Sequence, residues 1–509
     1  MTAPKSKSKA RPVKSEAPPE PSALTHPEIR TIVLGIMLAM FLGALDQTIV
    51  ATALPTIGRH FGNLDDLSWV VTAYLLTGTA VTPLYGKLAD IHGRRVMMLT
   101  AIGIFVVGSV ACALAPSMTA LVLARAFQGL GGGGLMALAQ TIIADIVSPL
   151  ERGRYQGYIG AVFAASSVGG PVLGGFLTEH IDWSLIFWIN LPLGLVALGM
   201  TSNVLRRVPF RPRKHRLDVI GAVLMMSAAI ALLLALSWGG RRYEWISPQI
   251  GALLLVSAIL WGLFAWRLMT AREPFLPLSM LMNRVVGIGT ASVTFVFGTM
   301  IALTIFAPLY FEVVLRLSAS ESGLALIPQL AGTVVGSTAA GRAMVRMRHY
   351  KRMPIVGLAL AIAALAAIAL APTALPLAAI CTLLGIVGIG MGTLFPVTTV
   401  SVQNAVQPYQ LGTATGVMNF FRSLGGALMV SVFAAIVLGG SASKGRPRIT
   451  LETLAAELGN DGTDLGGVFR WLFATAACCL TIGLICLLLM EERPLRGRQP
   501  SASTPIAAE

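Results

Sequence analysis

Long apolar runs of about twenty residues alternate with short polar segments along most of the chain. A helix of about 20 residues rises about 30 Å, which matches the hydrocarbon core of a bilayer. The pattern therefore predicts an all-α polytopic membrane protein with fourteen membrane-spanning helices. The predicted spans lie at 31–54, 69–86, 96–115, 118–140, 157–178, 184–204, 217–237, 250–270, 286–311, 323–341, 354–371, 376–398, 412–438 and 467–490.

The polar segments between these runs differ in their content of basic residues. With the N-terminus inside, 28 of the 38 Lys and Arg lie on inner segments, eight on outer segments and two within spans. Because short cytoplasmic segments carry an excess of Lys and Arg, this predicts a multi-pass protein of the cell inner membrane with both termini cytoplasmic. The same bias explains the net charge of +15, so we expect the lipid bilayer as a partner and no nucleic acid.

Composition supports the membrane class and describes the ends of the chain. Hydrophobic residues make up 55% of the chain and charged residues 12%, whereas soluble domains carry about 25% charged residues. Residues 1–29 are polar and rich in Lys, Pro and Ser, which predicts a disordered cytosolic tail, and 493–509 are expected to form a second one. The five cysteines lack both metal-ligand spacing and a disulfide framework, so we expect packing roles and no metal site.

An internal repeat indicates two related halves. The glycine-rich segment 129–135 matches 388–394, and one proline and two glycines of 149–157 match those of 408–416, all at an offset of 259 residues. Secondary transporters are often built from such repeats, although glycine-rich membrane helices also match by chance. The predicted organisation is an N-terminal six-helix bundle at 30–206, two additional transmembrane helices within 207–285 and a C-terminal six-helix bundle at 286–492.

Asp46 is the one acid placed well inside a predicted span, about two-thirds of the way along the first. A charge at that depth is costly, so it needs a partner, a proton or a water-filled cavity. Arg125 in the fourth span lies about 12 Å below its outer end, a depth similar to that of Asp46. We predict that this pair couples transport to protons, whereas a static pair that fixes helix packing is the alternative.

Two further ionisable residues are secondary proton or substrate candidates. Glu312 lies at the outer end of the ninth span, and Arg422 lies near the middle of the thirteenth. Arg422 has no obvious acidic partner in the sequence. Its side chain either faces a cavity or binds backbone carbonyls.

A short inner loop joins the second and third spans and contains Gly86, Asp90, Gly93, Arg94 and Arg95. Glycine permits close backbone approach or a left-handed turn. Asp90 is expected either to accept hydrogen bonds at the N-terminus of the third helix or to pair with an arginine across the boundary between the halves. The second-half copy has Val345 in place of Asp90.

The fifth span is rich in small residues around one proline. Small residues let membrane helices approach closely, and a proline removes one helical hydrogen bond. A hinge or tight seal and plain close packing are both compatible with this pattern. The residues concerned are Gly169, Gly170, Pro171, Gly174 and Gly175.

Together these segments resemble the major facilitator superfamily, and specifically the fourteen-helix drug:proton antiporters of the EmrB/QacA type. Residues 45–55 resemble the first-helix motif of that family, and 86–95 resemble the loop motif between helices two and three. Residues 125–129, which include Gln128 and Gly129, resemble the fourth-helix motif that is linked to proton transfer. Residues 169–175 resemble the fifth-helix antiporter motif. The resemblance covers roughly residues 30–490.

Three positions depart from the pattern of that family. Ile91 stands where the loop motif usually has a basic residue, which would weaken an inner latch. Ser184 and Leu185 follow Trp183 where the family often has Arg-Trp. The tenth span carries no acid, whereas some members place one there for cationic drugs, so multivalent cations are less favoured as substrates.

The resemblance implies the major facilitator fold and a proton-coupled antiporter that exports small amphipathic compounds by alternating access. It implies a monomer that uses the proton gradient as its energy source without a cofactor, and a periplasmic adaptor protein is a further candidate partner. An exporter of one endogenous metabolite, lipid or siderophore is the main alternative on the same fold, and a non-transporting sensor or scaffold is a second. An enzyme is not expected, since the sequence shows no nucleophile–base cluster or phosphate loop.

Overall fold

A computed structural model describes residues 26–62, 66–207, 217–240, 242–347, 349–442 and 465–495. The first six long helices are α1 His26–Phe61, α2 Leu67–His92, α3 Arg94–Ala113, α4 Met118–Ile146, α5 Pro149–His180 and α6 in two segments, Leu185–Trp188 and Asn190–Val204. Two more follow, α7 Val219–Trp238 and α8 Pro248–Thr270. The remainder are α9 Arg284–Val313, α10 in two segments (Ala319–Ala325 and Ile327–Met344), α11 Arg352–Leu370, α12 Leu377–Asn404, α13 Leu411–Ala442 and α14 Leu465–Leu489.

Each of the fourteen predicted spans overlaps one of these helices, so the all-α architecture is confirmed. Within the described residues, thirteen helices are long and apolar enough to cross a membrane. Helix α2 is 26 residues long but is not among them. It packs against α4, α7 and α13, and most of its side chains are buried or half-buried, so it needs less apolar surface than a lipid-facing helix.

The bounds of both predicted tails differ from the expectation: the first is shorter, and the start of the second is bound to the helices. Helix α1 starts at His26, so residues 26–29 are helical instead of belonging to a disordered tail, and 1–25 lie outside the described residues. At the other end the start of the predicted second tail is bound to the bundle, because Arg493 O accepts a hydrogen bond from Tyr350 Oη at 2.8 Å. Residues 496–509 and 443–464 also lie outside the described part of the chain.

Each half has its own apolar core. One cluster of buried side chains comes from residues 29–205 and another from 285–490. Helices α7 and α8 pack on each other, and α7 also contacts α2 and α13. The additional pair therefore lies beside the boundary between the halves.

The first repeated segment packs in the same way in both halves. Helix α4 lies closely on α2, and α12 lies closely on α10. A Cβ added at Gly133 would stand 2.0 Å from Gly78 O, and one added at Gly392 would stand 2.2 Å from Thr333 O. Such distances leave no room for a side chain, so the glycines of the repeat permit the helix contact.

The second repeated segment joins the halves at one end of the bundle. We call this the inner end, where α1 begins. Gly153 of α5 faces Gly341 of α10, and a Cβ added at Gly153 would lie 2.6 Å from Gly341 O. Gly412 of α13 faces Gly86 of α2, with a corresponding distance of 2.5 Å to Gly86 O. The repeat therefore builds two matching contacts that close the inner end.

Candidate functional site

Asp46 lies within α1 and is completely buried. Its Oδ2 accepts a hydrogen bond from Arg125 Nη1 of α4 at 2.7 Å, so the two side chains form an ion pair. Arg125 is only 1% exposed. The depth match inferred from the sequence thus corresponds to a direct contact, in a region from which water is excluded.

Two amides complete the coordination of the Asp46 carboxylate. Gln128 Nε2 donates to Asp46 Oδ1 at 2.9 Å, and Asn190 Nδ2 donates to the same oxygen at 3.0 Å. Ser109 Oγ accepts from Gln128 Nε2 at 2.8 Å and from Asn190 Nδ2 at 3.3 Å. All three side chains are fully buried. Three helices, α1, α4 and α6, therefore meet at this carboxylate, and Ser109 connects α3 to both amides.

Arg125 is held by more than its acid. Its Nε donates to Val70 O at 3.0 Å, and its Nη1 donates to Gln128 Oε1 at 2.6 Å. The guanidinium carbon lies 4.3 Å from the centre of the Tyr74 ring, a cation–π contact. Tyr74 reaches this place because α4 carries Gly132, where an added Cβ would come within 2.2 Å of the tyrosine oxygen.

The pair is stable because most of its hydrogen-bonding capacity is used inside a low-dielectric core. Removal of one partner from such a pair costs about 3–5 kcal/mol, since the remaining charge is left buried and uncompensated. Protonation of Asp46 has a similar electrostatic effect, because it removes the negative charge that balances Arg125. Next to this closed network Gln47 is exposed, so the surface begins one residue away from the acid.

Sequence reasoning found Asp46, Arg125 and Gln128 but missed Ser109 and Asn190. Each stands as a polar residue within an apolar run, which is a usable but weak signal. The sequence could not show that α6 places Asn190 against Asp46, or that α3 places Ser109 against the two amides.

The loop after α2 connects the halves through Asp90, which meets the N-terminus of α13 as well as Arg94 at the start of α3. Asp90 accepts from the backbone N–H of Gly412 at 3.1 Å, from that of Thr413 at 2.8 Å and from Thr413 Oγ1 at 2.6 Å. The predicted arginine across the boundary is therefore wrong, because the acceptor site is filled by the N-terminus of α13. Two of the four N–H groups that lack helical acceptors there are satisfied by the carboxylate.

The remaining residues of this loop hold Asp90 in place within the first half. Arg94 Nη1 lies 2.7 Å from Asp90 Oδ1, and Arg94 Nε donates to Asp145 Oδ2 at 2.6 Å. Gly93 has a φ of 95°, which lets a single residue separate α2 from α3. Arg95 is turned to Ser202 of α6, whose carbonyl accepts from its Nε at 3.2 Å.

The glycines of the fifth-helix motif serve close packing on α1. An added Cβ at Gly170 would lie 2.0 Å from Thr48 Oγ1, and one at Gly174 would lie 2.2 Å from Thr52 Oγ1. Gly169 and Gly175 have nothing within 4 Å of an added Cβ, and Pro171 is exposed. The motif thus presses α5 against the helix turns that follow Asp46.

Glu312 and Arg422 do not join the network. Glu312 is half-buried near the outer end of α9. Arg422 is half-buried on α13, with its guanidinium carbon 4.4 Å from the centre of the Phe297 ring. No group of three or more His, Cys, Asp or Glu side chains suited to a metal ion occurs among the described residues.

Comparisons with known proteins agree with this architecture. The Major Facilitator Superfamily profile matches residues 36–430. The transporter Rv1877 of Mycobacterium tuberculosis, described as an uncharacterized MFS-type transporter, is 36% identical over 81% of this chain, which spans only 60% of that relative's length. The multidrug transporter protein MdtP of Bacillus subtilis is 32% identical over 80% of this chain and 75% of its own length.

A solved structure shows the same fold at low sequence identity. The proton:xylose symporter XylE covers 92% of this chain and 96% of its own, with a TM-score of 0.61 and 14% identity. That likeness concerns the fold alone.

Proposed function

The chain belongs to the Major Facilitator Superfamily, and from this premise we propose that it is a proton-coupled antiporter that exports small amphipathic compounds. Relatives that cover most of this chain are named multidrug transporters or efflux pumps. The observation that carries the proposal is the buried carboxylate of Asp46, bound to Arg125, Gln128 and Asn190 one residue from an exposed position.

The coupling step follows from the charges of the network. A proton that enters from the outer side binds Asp46, and the neutral acid no longer balances Arg125. The contacts that hold α1, α4 and α6 together through this carboxylate weaken, and substrate is released outward. Return to the inward-open state lets the proton leave to the cytoplasm, which restores the ion pair.

The inner-end contacts define what must change during this cycle. The glycine contacts between the halves and the Asp90 bonds to α13 close that end. Opening towards the cytoplasm requires these contacts to break, so the halves rock about the centre of the molecule. We place the protein in the cell inner membrane with both termini cytoplasmic, as the distribution of Lys and Arg favours.

The energy available from one proton is adequate for export. One charge that moves through 100 mV yields about 2.3 kcal/mol, and one pH unit adds about 1.4 kcal/mol. Each proton therefore supports a substrate gradient of roughly several hundred-fold.

The decisive experiment replaces Asp46 and measures coupling separately from transport. In everted membrane vesicles, Asp46→Asn should lose proton-driven uphill transport of a fluorescent dye but keep exchange of dye across the membrane without a gradient. Asp182→Asn, which removes an exposed loop acid outside the network, should keep both activities. Undiminished proton-driven transport by Asp46→Asn would refute the mechanism.

A further inference from the structure

Arg422 has the properties of a binding group for an anion. We propose that it recognises the negatively charged group of the substrate, so that the exported compounds include amphipathic carboxylates or sulfonates with an aromatic or aliphatic body. The assignment rests on the proposed export function and narrows its substrate class.

Arg422 differs from other buried or half-buried arginines in what surrounds it. Arg125 is paired with Asp46, Arg94 with Asp90 and Asp145, and Arg267 with Asp218. Arg152 donates to the carbonyls of Val147 and Ala144. The guanidinium of Arg422 instead contacts the Phe297 ring. Within the described part of the chain, no carboxylate or carbonyl oxygen accepts a hydrogen bond from it.

The position of this cation is close to the centre of the membrane. Arg422 is eleven residues beyond the start of α13 at Leu411, which corresponds to about 17 Å of helix. That is roughly half the thickness of a bilayer core. An ionised side chain at this depth needs a partner or a wet cavity. The half-buried Arg422 side chain retains hydrogen-bond donors for such a partner.

Close packing of α9 and α13 fixes the guanidinium over its ring. A Cβ added at Gly298 would lie 2.5 Å from Gly425 O, and one added at Gly425 would lie 2.5 Å from Thr294 O. This contact brings Phe297 of α9 under Arg422. A ring beneath a guanidinium covers one face but leaves the N–H groups at its edge free, which is the geometry that binds a carboxylate by two parallel hydrogen bonds.

The surroundings also provide apolar surface for the body of an amphipathic ligand. Phe297 contacts Phe395 of α12, with ring centres 6.0 Å apart, and both rings are half-buried. Helix α12 in turn contacts α5 of the first half. Helix α13, which carries the cation, contacts α2 and α4, so the helices of Arg422 and Phe395 both border the first half.

The charge balance favours an anion over a cation. Asp46 and Arg125 neutralise each other, so Arg422 leaves one net positive charge in the middle layer of the described helices. Protonation of Asp46 makes that layer more positive. A cationic substrate would be repelled in both states, whereas an anionic one compensates the charge.

An equilibrium binding experiment tests the assignment without reference to transport. The full chain in phosphatidylcholine nanodiscs is titrated with 2-naphthoate, neutral 2-naphthamide and 2-naphthylmethylammonium, which share one ring system. Wild type should bind the carboxylate at least about tenfold more tightly than the amide, a difference of about 1.4 kcal/mol. Arg422→Gln should abolish this preference with amide affinity unchanged, and Arg422→Lys should retain part of it.

Several outcomes would overturn the proposal. Equal affinity of wild type for naphthoate and naphthamide refutes the proposal even if Arg422→Gln fails to fold. If Arg422→Gln folds and still prefers naphthoate over naphthamide as strongly as wild type, the proposal is also refuted. Nanodiscs with phosphatidylglycerol distinguish a lipid headgroup from a soluble substrate. If this lipid displaces naphthoate from wild type, the headgroup is the occupant and the substrate assignment is wrong.

Transport separates this proposal from the proposed function. Loss of carboxylate export with retained export of a neutral dye in Arg422→Gln supports the anion site. If Asp46→Asn leaves proton-driven transport intact, the coupling mechanism fails, whereas the binding series still decides the role of Arg422.

Discussion

The hydrogen bonds between Asp90 and the N-terminus of α13 should control how often the inner end opens. Asp90→Asn removes the negative charge and leaves one oxygen to face three donors from Gly412 and Thr413. The Asp90 side chain is only 7% exposed, so water compensates little for the loss. Hydrogen bonds to a charged group contribute about 1.5–3 kcal/mol each, so we expect a shift of about 3 kcal/mol towards the open inner end.

A shift of that size raises the ratio of open to closed molecules about 100-fold. The backbone N–H groups of Gly412 and Thr413 report it directly, because they belong to the first turn of α13 and bond to Asp90. Hydrogen–deuterium exchange measured by mass spectrometry should show faster exchange in peptides that contain these two residues. Asp182→Asn is a matched control, since Asp182 accepts a backbone hydrogen bond from Ser184 in the exposed loop between α5 and α6 and, among the described residues, makes no bond to α13. Equal protection in wild type and Asp90→Asn would refute the reasoning.

Two further predictions concern the coupling network and the helix contacts around it. Asn190→Ala removes one of the donors to Asp46 Oδ1 and should reduce proton-driven efflux about tenfold, a loss of roughly 1.4 kcal/mol. The control Asn203→Ala, an exposed position on the same helix, should leave efflux unchanged. Equal efflux rates in both variants would contradict the role assigned to Asn190. Gly133→Ala places a Cβ 2.0 Å from Gly78 O and should lower stability by about 1–3 kcal/mol, seen as a lower unfolding temperature in detergent. Gly103→Ala, with nothing within 4 Å of its added Cβ, should leave that temperature unchanged, and an equal fall in both variants would argue against backbone crowding.

The amino-acid sequence by itself determined the membrane architecture. Spanning helices in lipid must be long and apolar to satisfy their backbone groups, so fourteen runs could be located from hydropathy alone. The repeat offset of 259 residues likewise located segments that pack equivalently in both halves. Asp46 and Arg125 were found because charged residues at membrane depth are rare, and similar depth in two antiparallel helices made a contact feasible.

Only the tertiary structure decided the partners of each polar group. Asn190 reaches Asp46 because α6 packs on α1, and Ser109 reaches Gln128 and Asn190 because α3 packs on α4 and α6. No local pattern in the sequence encodes that arrangement. Asp90 accepts from backbone N–H groups 322 and 323 residues away, which carry no side-chain signature in the sequence. Arg422 stands over Phe297 because the glycines of α9 and α13 let those helices approach closely. Depth in the membrane follows from position along a helix, whereas contact across helices depends on the packing of the whole bundle.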